Sequence, residues 1–165
     1  MYAVPTAMQG KPRVVGLLVE KELKYLSAAL ANPAEPYVVV MGGAKVSDKL
    51  PMIETVLQKA DTVLIGGAMA YTFMKALGRP VGSSRVEENM LPEAKKILEA
   101  AAKLKCELVL PQDHICGTVF EESGGGIETF EDAKGGIKDG YMGLDIGPKS
   151  QTDYALRLRK AKTIL

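Results

Sequence analysis

Two lysines and an aspartate follow a pair of glycines at the end of a strongly apolar run. Gly42 and Gly43 come directly after the apolar residues of "YVVVMGGAKVSDKL". Lys45 and Lys49 follow, four positions apart, with Asp48 beside the second. Glycines let a ligand approach the backbone, a helix N-terminus offers unpaired N–H groups, and lysines add mobile positive charge. This pattern indicates a phosphate site, with Asp48 placed to hold a lysine or to order water around a metal ion.

The position of the following helix decides how the two lysines are presented. If the helix extends back to Lys45, both lysines share one face; if it starts near Ser47, Lys45 lies in the turn. A simpler structural interpretation stays open, because a glycine pair after a strand is often only a tight turn. The stretch matches neither the Walker A pattern nor G-x-G-x-x-G. A second pair, Gly66 and Gly67, ends the next apolar run and favours an open slot for a flat base or a ribose.

Short apolar runs alternate with helical patterns along the chain. We predict strands at residues 13–19, 36–43, 61–67 and 106–113, and helices at 20–32, 48–60, 68–78, 91–105 and 150–162. The glycine-rich residues 124–143 contain short β pieces at most, and 143–150 form a turn. This alternation predicts an α/β fold, a three-layer Rossmann-like parallel sheet with helices on both faces. The ending "AKTIL" indicates a strand cut short, so the sheet is expected to be truncated.

Composition excludes several classes of function. A net charge of +1 over 165 residues gives no basis for a nucleic-acid or membrane surface. No apolar run is long enough to span a bilayer, and the first 16 residues lack signal-peptide features. Two cysteines form no disulfide framework and no common metal motif, which favours a reducing compartment. A catalytic pair of a cysteine with His114 is the alternative to simple packing of these side chains.

Four motifs in this order resemble phosphoglycerate kinase: "GGAKVSDKL", "LIGGAMAYTFMKALG", "LVLPQD" and "GYMGLDIGPKS". The resemblance runs from about residue 14 to residue 165. It implies reversible phosphoryl transfer in glycolysis between 1,3-bisphosphoglycerate and MgADP, giving 3-phosphoglycerate and MgATP. It also implies Mg²⁺ bound with ATP or ADP, a cytoplasmic location and a monomeric parent enzyme. Residues 1–18 would end the N-terminal glycerate-binding domain, 19–36 would form the interdomain helix and linker, and 37–165 would form part of the C-terminal nucleotide-binding domain.

The resemblance also implies particular site residues. Lys45 would stabilise the phosphoryl group in transfer, and Lys49 would contact the nucleotide phosphates. Asp48 would help to order the phosphates and the metal. The remaining positions carried over are backbone walls: Gly42, Gly43 and Ala44 for the phosphates, and Gly66, Gly67, Gly143 and Leu144 for the adenine and ribose. Arg85 departs from the family, which usually has an apolar adenine-pocket residue there.

Other interpretations remain open from the sequence. The glycerate site and two later loops of the family lie outside these residues, so the segment is expected to be inactive alone. A non-catalytic nucleotide-binding module and a purely structural fragment are both compatible with the pattern. A nicotinamide dehydrogenase domain shares the layered architecture, but its G-x-G-x-x-G turn is absent, and glycines replace the acidic residue that should end its second strand.

Overall fold

The computed structural model of the protein describes residues 6–121 and 125–165. Residues 1–5 of the predicted first segment and residue 124 of the glycine-rich stretch therefore lie outside the described part. The chain divides into two compact units, residues 1–33 and residues 34–165. No helix among the described residues has both the length and the apolar composition needed to cross a membrane.

The smaller unit contains helix α1, Leu17–Ala31. The strand predicted for residues 13–19 is wrong, because residues 12–16 are irregular and the chain is helical from Leu17. Gly16 is the N-cap, and its carbonyl accepts the amide of Glu20 at 3.0 Å. Val14 and Leu17 are 91% and 85% exposed, so within the described residues this apolar run has no sheet to join. A short apolar run is compatible with a helix as well as with a strand. Pairing with a neighbouring strand would have been needed to make this run a strand.

The larger unit contains the other elements. In chain order these are β1 (Tyr37–Gly42), α2 (Leu50–Leu57), β2 (Thr62–Gly66), α3 (Met69–Ala76), α4 (Leu91–Leu104), β3 (Glu107–Val109), β4 (Asp113–Gly117), β5 (Glu128–Glu131), β6 (Met142–Ile146), α5 (Pro148–Lys160) and β7 (Thr163–Ile164). Short 3-10 turns lie at Glu88–Met90 and Asp132–Lys134.

A parallel four-stranded sheet with helices on both faces confirms the predicted α/β architecture. Its strand order is β3-β2-β1-β7, and all of its pairs are parallel. Helices α2, α3 and α4 cover one face through a shared core that includes Val39, Ile53, Ile65, Phe73 and Ile97. Each such buried side chain contributes about 1.5–3 kcal/mol of burial free energy. Helix α5 covers the other face, where Tyr154 packs against Val38 and Leu64.

A second, antiparallel sheet departs from the sequence prediction. Its order is β5-β4-β6, so the predicted strand at 106–113 is two strands in two sheets, β3 and β4. Pro111 lies between them and cannot donate to a ladder, so the pairing stops there. The turn predicted at 143–150 is also wrong, because Met142–Ile146 pairs with β4 and α5 begins at Pro148. The short β piece predicted in the glycine-rich stretch is β5.

Candidate functional site

The two glycine pairs lie side by side at the carboxyl end of the parallel sheet. Gly42 is paired with Gly66 across β1 and β2. Gly67 has a φ of +67°, and a Cβ added to it would lie 2.9 Å from the carbonyl oxygen of Gly43. The same carbonyl accepts the amide of Met69 at 2.9 Å, at the start of α3. Only glycine fits position 67, because it accepts the left-handed backbone and leaves room for this close approach.

The lysine-bearing loop continues directly from this glycine edge. Helix α2 begins at Leu50 rather than at Asp48, so Lys45 and Asp48 lie in the loop and Lys49 is the N-cap. Val46 is fully buried and its carbonyl accepts the amide of Lys49 at 2.9 Å, which fixes the loop to the core. A Cβ at Gly43 would lie 3.5 Å from Cε of Lys49, so the stem of this lysine crosses the glycine. Lys45 and Asp48 are exposed, and Lys49 is partly buried.

A carboxylate forty positions away holds this loop in place. The Ser47 hydroxyl donates to Oε1 of Glu87 at 2.6 Å, and the Ser47 amide donates to Oε2 at 3.1 Å. The amide of Glu87 in turn donates to the Thr72 hydroxyl on α3 at 3.1 Å. Desolvation alone would raise the pKa of Glu87, but the Ser47 hydrogen bonds and the charge of Lys45 lower it below its ordinary value. We call the Ser47–Glu87 pair the loop latch.

Strand β6 supplies the opposite wall. The Gly143 amide donates to the buried Ser84 hydroxyl at 2.9 Å, and the Ser83 amide donates to the Tyr141 carbonyl at 2.8 Å. A Cβ at Gly143 would overlap the ring of Tyr71 on α3. Glycine at this position therefore lets β6 approach α3 closely, and residues 83–84 are hydrogen-bonded to the start of β6.

A cavity of about 540 Å³ opens between these walls. Its lining comprises Gly43, Ala44, Gly67, Ala68, Ser83, Arg85, Phe120, Met142, Gly143 and Leu144. The structure thus brings together five of the ten site residues that the resemblance implied, from both sides of the cavity, and Arg85 with them. Gly42 and Gly66 end β1 and β2 and are not part of its lining, nor are the two lysines and Asp48. The size and the mostly uncharged walls suit a nucleoside, because small-molecule sites are mainly apolar and carry only a few polar groups.

Several residues of the site have no recognisable sequence signal. Phe120, which is 86% exposed, lines the cavity from a loop that no local pattern marks. Glu87 contacts Ser47, forty positions away. Ser83 contacts Tyr141, fifty-eight positions away. Hydrophobic periodicity and motif spacing report only local order, so these long-range contacts could not be predicted from the sequence.

The geometry does not support a catalytic pair of a cysteine with His114. His114 is fully buried on β4, and its Nε2 lies 3.2 Å from Oδ1 of Asp132. Cys116 is also fully buried, and burial raises the pKa of its thiol to about 12. A nucleophilic cysteine needs a lowered pKa and access to substrate. Both side chains are structural, as predicted for His114.

One carboxylate of the lysine loop, that of Asp48, suits a metal ion that arrives with a ligand. Among the described residues there is no group of three or more His, Cys, Asp or Glu side chains arranged to hold a metal. Asp48 is an exposed carboxylate beside two lysines. Mg²⁺ typically takes one or two carboxylates together with substrate phosphates and water. This donor set therefore fits Mg²⁺ carried on phosphate oxygens.

Comparison with known proteins gives one consistent family. The family model described as phosphoglycerate kinase matches residues 1–165. The chain is 49% identical over 154 residues to phosphoglycerate kinase of Anaeromyxobacter sp. (strain K), and 52% identical over 155 residues to that of Thermosipho africanus (strain TCF52B). Each match covers 93% of this chain and 38% of the relative's own length.

Solved structures agree with these relatives. Phosphoglycerate kinase from Coxiella burnetii matches with a TM-score of 0.84 and 35% identity, over 90% of this chain and 38% of that one. The enzyme from Pyrococcus horikoshii OT3 matches with a TM-score of 0.76 and 31% identity, over 93% of this chain and 39% of that one. The chain thus spans well under half of the length of the proteins it matches.

Proposed function

The chain belongs to the phosphoglycerate kinase family, and on this basis we propose that it supplies the nucleotide half of a phosphoglycerate kinase active site. The reaction is reversible phosphoryl transfer between 1,3-bisphosphoglycerate and MgADP, giving 3-phosphoglycerate and MgATP, with a carboxyl group as acceptor in the reverse direction. The observation that carries the proposal is the cavity between the glycine edge of the parallel sheet and the β6 wall, with the lysine loop continuing from that edge.

The nucleotide phosphates lie along the edge formed by Gly42, Gly43 and Ala44 in this proposal. Close backbone approach is possible there, because a Cβ at Gly43 would meet only side-chain atoms, the stem of Lys49 and the sulfur of Met69. Lys49 stands at the start of α2 and contacts the phosphates in the ground state. Lys45, exposed in the loop, follows the charge of the phosphoryl group as it moves.

The base and ribose occupy the cavity itself. Gly67 and Gly143 form opposite walls, and Leu144 adds apolar surface at the β6 side. Gly66 precedes this slot at the end of β2 and keeps the strand end free of side-chain bulk. A flat base fits between backbone walls of this kind with little side-chain rearrangement.

Asp48 is the residue of this loop that would order Mg²⁺ and its water. The metal bound with the nucleotide would supply positive charge that offsets the phosphate charge. The chain's own contribution is positioning and positive charge, and no covalent enzyme intermediate is required.

The remaining parts of the proposal concern the parent enzyme. Residues 1–18 end an N-terminal glycerate-binding domain, 19–36 join the domains, and 37–165 form part of the nucleotide domain. The glycerate binds through the N-terminal domain, so these 165 residues alone are expected to catalyse no transfer. We further propose a monomeric, cytoplasmic parent enzyme acting in glycolysis.

Calorimetric titration with MgADP tests the nucleotide site. We expect binding in the micromolar to low millimolar range, and a loss of about tenfold or more for Lys49→Ala, since a charge-assisted phosphate contact is removed. Lys103→Ala, an exposed lysine on α4, is the matched control and should bind as the parent protein does. No heat from folded protein, or equal losses in both variants, would contradict the proposal.

A further inference from the structure

Arg85 is the one charged side chain among the described residues that line the cavity. It is exposed, and it makes no hydrogen bond or ion pair with any residue that the structure describes. Arg79 and Arg157, by contrast, are paired: Arg79 donates to Asp132 at 2.7 Å, and Arg157 donates to Glu107 at 2.6 Å. Arg85 therefore carries a full set of guanidinium donors into a site without a protein partner for them.

The backbone on both sides of Arg85 is fixed. Ser84 is buried and accepts the Gly143 amide at 2.9 Å, which ties it to the β6 wall. Glu87 is held by the loop latch with Ser47. The side chain of Arg85 thus leaves a segment anchored at two points, beside the wall that bounds the proposed base slot. A held backbone reduces the entropy lost when the guanidinium engages a ligand.

The hydrogen-bond donors of a guanidinium group distinguish 6-oxopurines from adenine. Arginine has five N–H donors in a planar fork and no acceptor. Guanine and hypoxanthine present two adjacent acceptors, O6 and N7, which this fork matches with two parallel hydrogen bonds. Adenine presents an N6 amino donor beside N7, so the fork meets a donor at one position. None of the other described lining residues carries a charge that would compete for Arg85.

We propose that Arg85 makes this cavity select 6-oxopurine nucleotides, guanosine and inosine diphosphates, over ADP. The inference rests on the proposed nucleotide site and assigns it a base preference. Contact of Arg85 with the phosphates or stacking on the base face would instead strengthen all purine nucleotides alike. Comparison of bases separates these possibilities.

The test is calorimetric titration of the 165-residue protein with the magnesium complexes of ADP, GDP and IDP. IDP differs from GDP by the missing 2-amino group, so a preference shared by both reports on the 6-oxo group. We expect GDP and IDP to bind about fivefold or more tightly than ADP, since a bidentate arginine contact discriminates to at least this degree. Arg85→Leu should weaken GDP and IDP by that factor and bring the three affinities together.

Two further variants control for charge. Arg85→Lys keeps the positive charge but loses the planar fork, so the base preference should fall even where overall affinity is retained. Arg159→Leu removes a charge from an exposed position on α5 and should leave the preference unchanged. Circular dichroism should show the parent fold in all variants, because neither arginine is buried.

The outcomes separate the inference from the proposed function. Equal affinities of the parent protein for ADP, GDP and IDP, or equal losses for all three in Arg85→Leu, would overturn the base preference and leave the nucleotide site standing. Failure of all three nucleotides to bind folded protein would overturn the site and the preference together.

Discussion

At the scale of single residues, the cavity owes its shape to glycines at which a Cβ would clash. Gly67 approaches the carbonyl of Gly43 with a left-handed backbone, and Gly143 lies against the ring of Tyr71. Gly66 differs from both, since a Cβ there would meet no atom within 4 Å. The same residue type therefore has different structural importance at adjacent positions.

Gly67→Ala and Gly66→Ala form a matched pair for this difference. Gly67→Ala should lower the free energy of unfolding by about 1–3 kcal/mol, because it combines an unfavourable backbone conformation with a clash against backbone. Gly66→Ala should stay within about 1 kcal/mol of the parent protein. Urea denaturation measures both. Equal stabilities would contradict the close approach of residues 43 and 67.

At the scale of elements, helix α5 is capped from another strand. The carboxylate of Asp113 on β4 accepts the amide of Lys149 at 2.9 Å and that of Ser150 at 2.8 Å. A Cβ at Gly147 would overlap this carboxylate, so glycine precedes the helix. Burial alone would raise the pKa of Asp113, but the hydrogen bonds from Ser150 and Lys149 bring it below its ordinary value.

Asp113→Asn should destabilise the protein by about 1–2 kcal/mol at neutral pH, because one helix N-terminal amide loses its acceptor. A folded-state pKa below the unfolded value of about 3.9 stabilises the protein above that pH, and this stabilisation is lost as the pH falls through the folded pKa. The difference between parent and variant should therefore narrow in acid. Asp153→Asn, which breaks an i,i+4 pair with Arg157, should cost no more than about 0.5 kcal/mol. Denaturation at several pH values tests this, and a gap that widened below pH 4 would be contrary to the account.

The loop latch is the second element-scale device. Glu87→Gln leaves one acceptor oxygen for two Ser47 donors, so the lysine loop should loosen and MgADP affinity should fall several-fold at an almost unchanged melting temperature. Glu88→Gln is the control, since the adjacent Glu88 pairs only with Lys75 within the described residues. Because the pKa of Glu87 is lowered, its effect on affinity should persist to mildly acidic pH. Equal affinities of the two variants would show that the latch does not position the loop.

Elements were predictable where local pattern and tertiary contacts agree. The runs before Gly42 and Gly66 are apolar on both faces, which fits buried parallel strands. The sequence did not predict β6, because Gly143 and Asp145 have low β propensity. The strand forms through its pairing with β4, a contact that no local pattern reports. The strand predicted at residues 13–19 was wrong for the opposite reason. The local pattern is apolar, but no described strand pairs with it. The latch joins residues forty positions apart and leaves no local trace.

At the scale of the whole molecule, the larger unit has a closed core that protects its reactive groups. Cys106 and Cys116 are both buried and free, and burial is the main cause that raises the pKa of their thiols, to about 11 and about 12. Neither is a thiolate at neutral pH, so neither is poised to react.

A thiol reagent such as Ellman's reagent should therefore label the native protein at pH 8 only at the rate of transient opening. Both thiols should react at once in denaturant, which provides the control for reagent and for thiol content. Rapid labelling of one thiol in the native protein would mean that part of this core opens more readily than the structure indicates.

The central claim is that a nucleotide binds between the glycine edge of the parallel sheet and the β6 wall. The most direct test is an amide ¹H–¹⁵N correlation spectrum of the labelled 165-residue protein during titration with MgADP. We predict that the largest shifts fall on amides of Gly43, Ala44, Gly67 and Gly143, from both walls of the cavity and in one saturating process. Saturable shifts confined to another surface, or no shifts in a well-dispersed spectrum, would contradict the account.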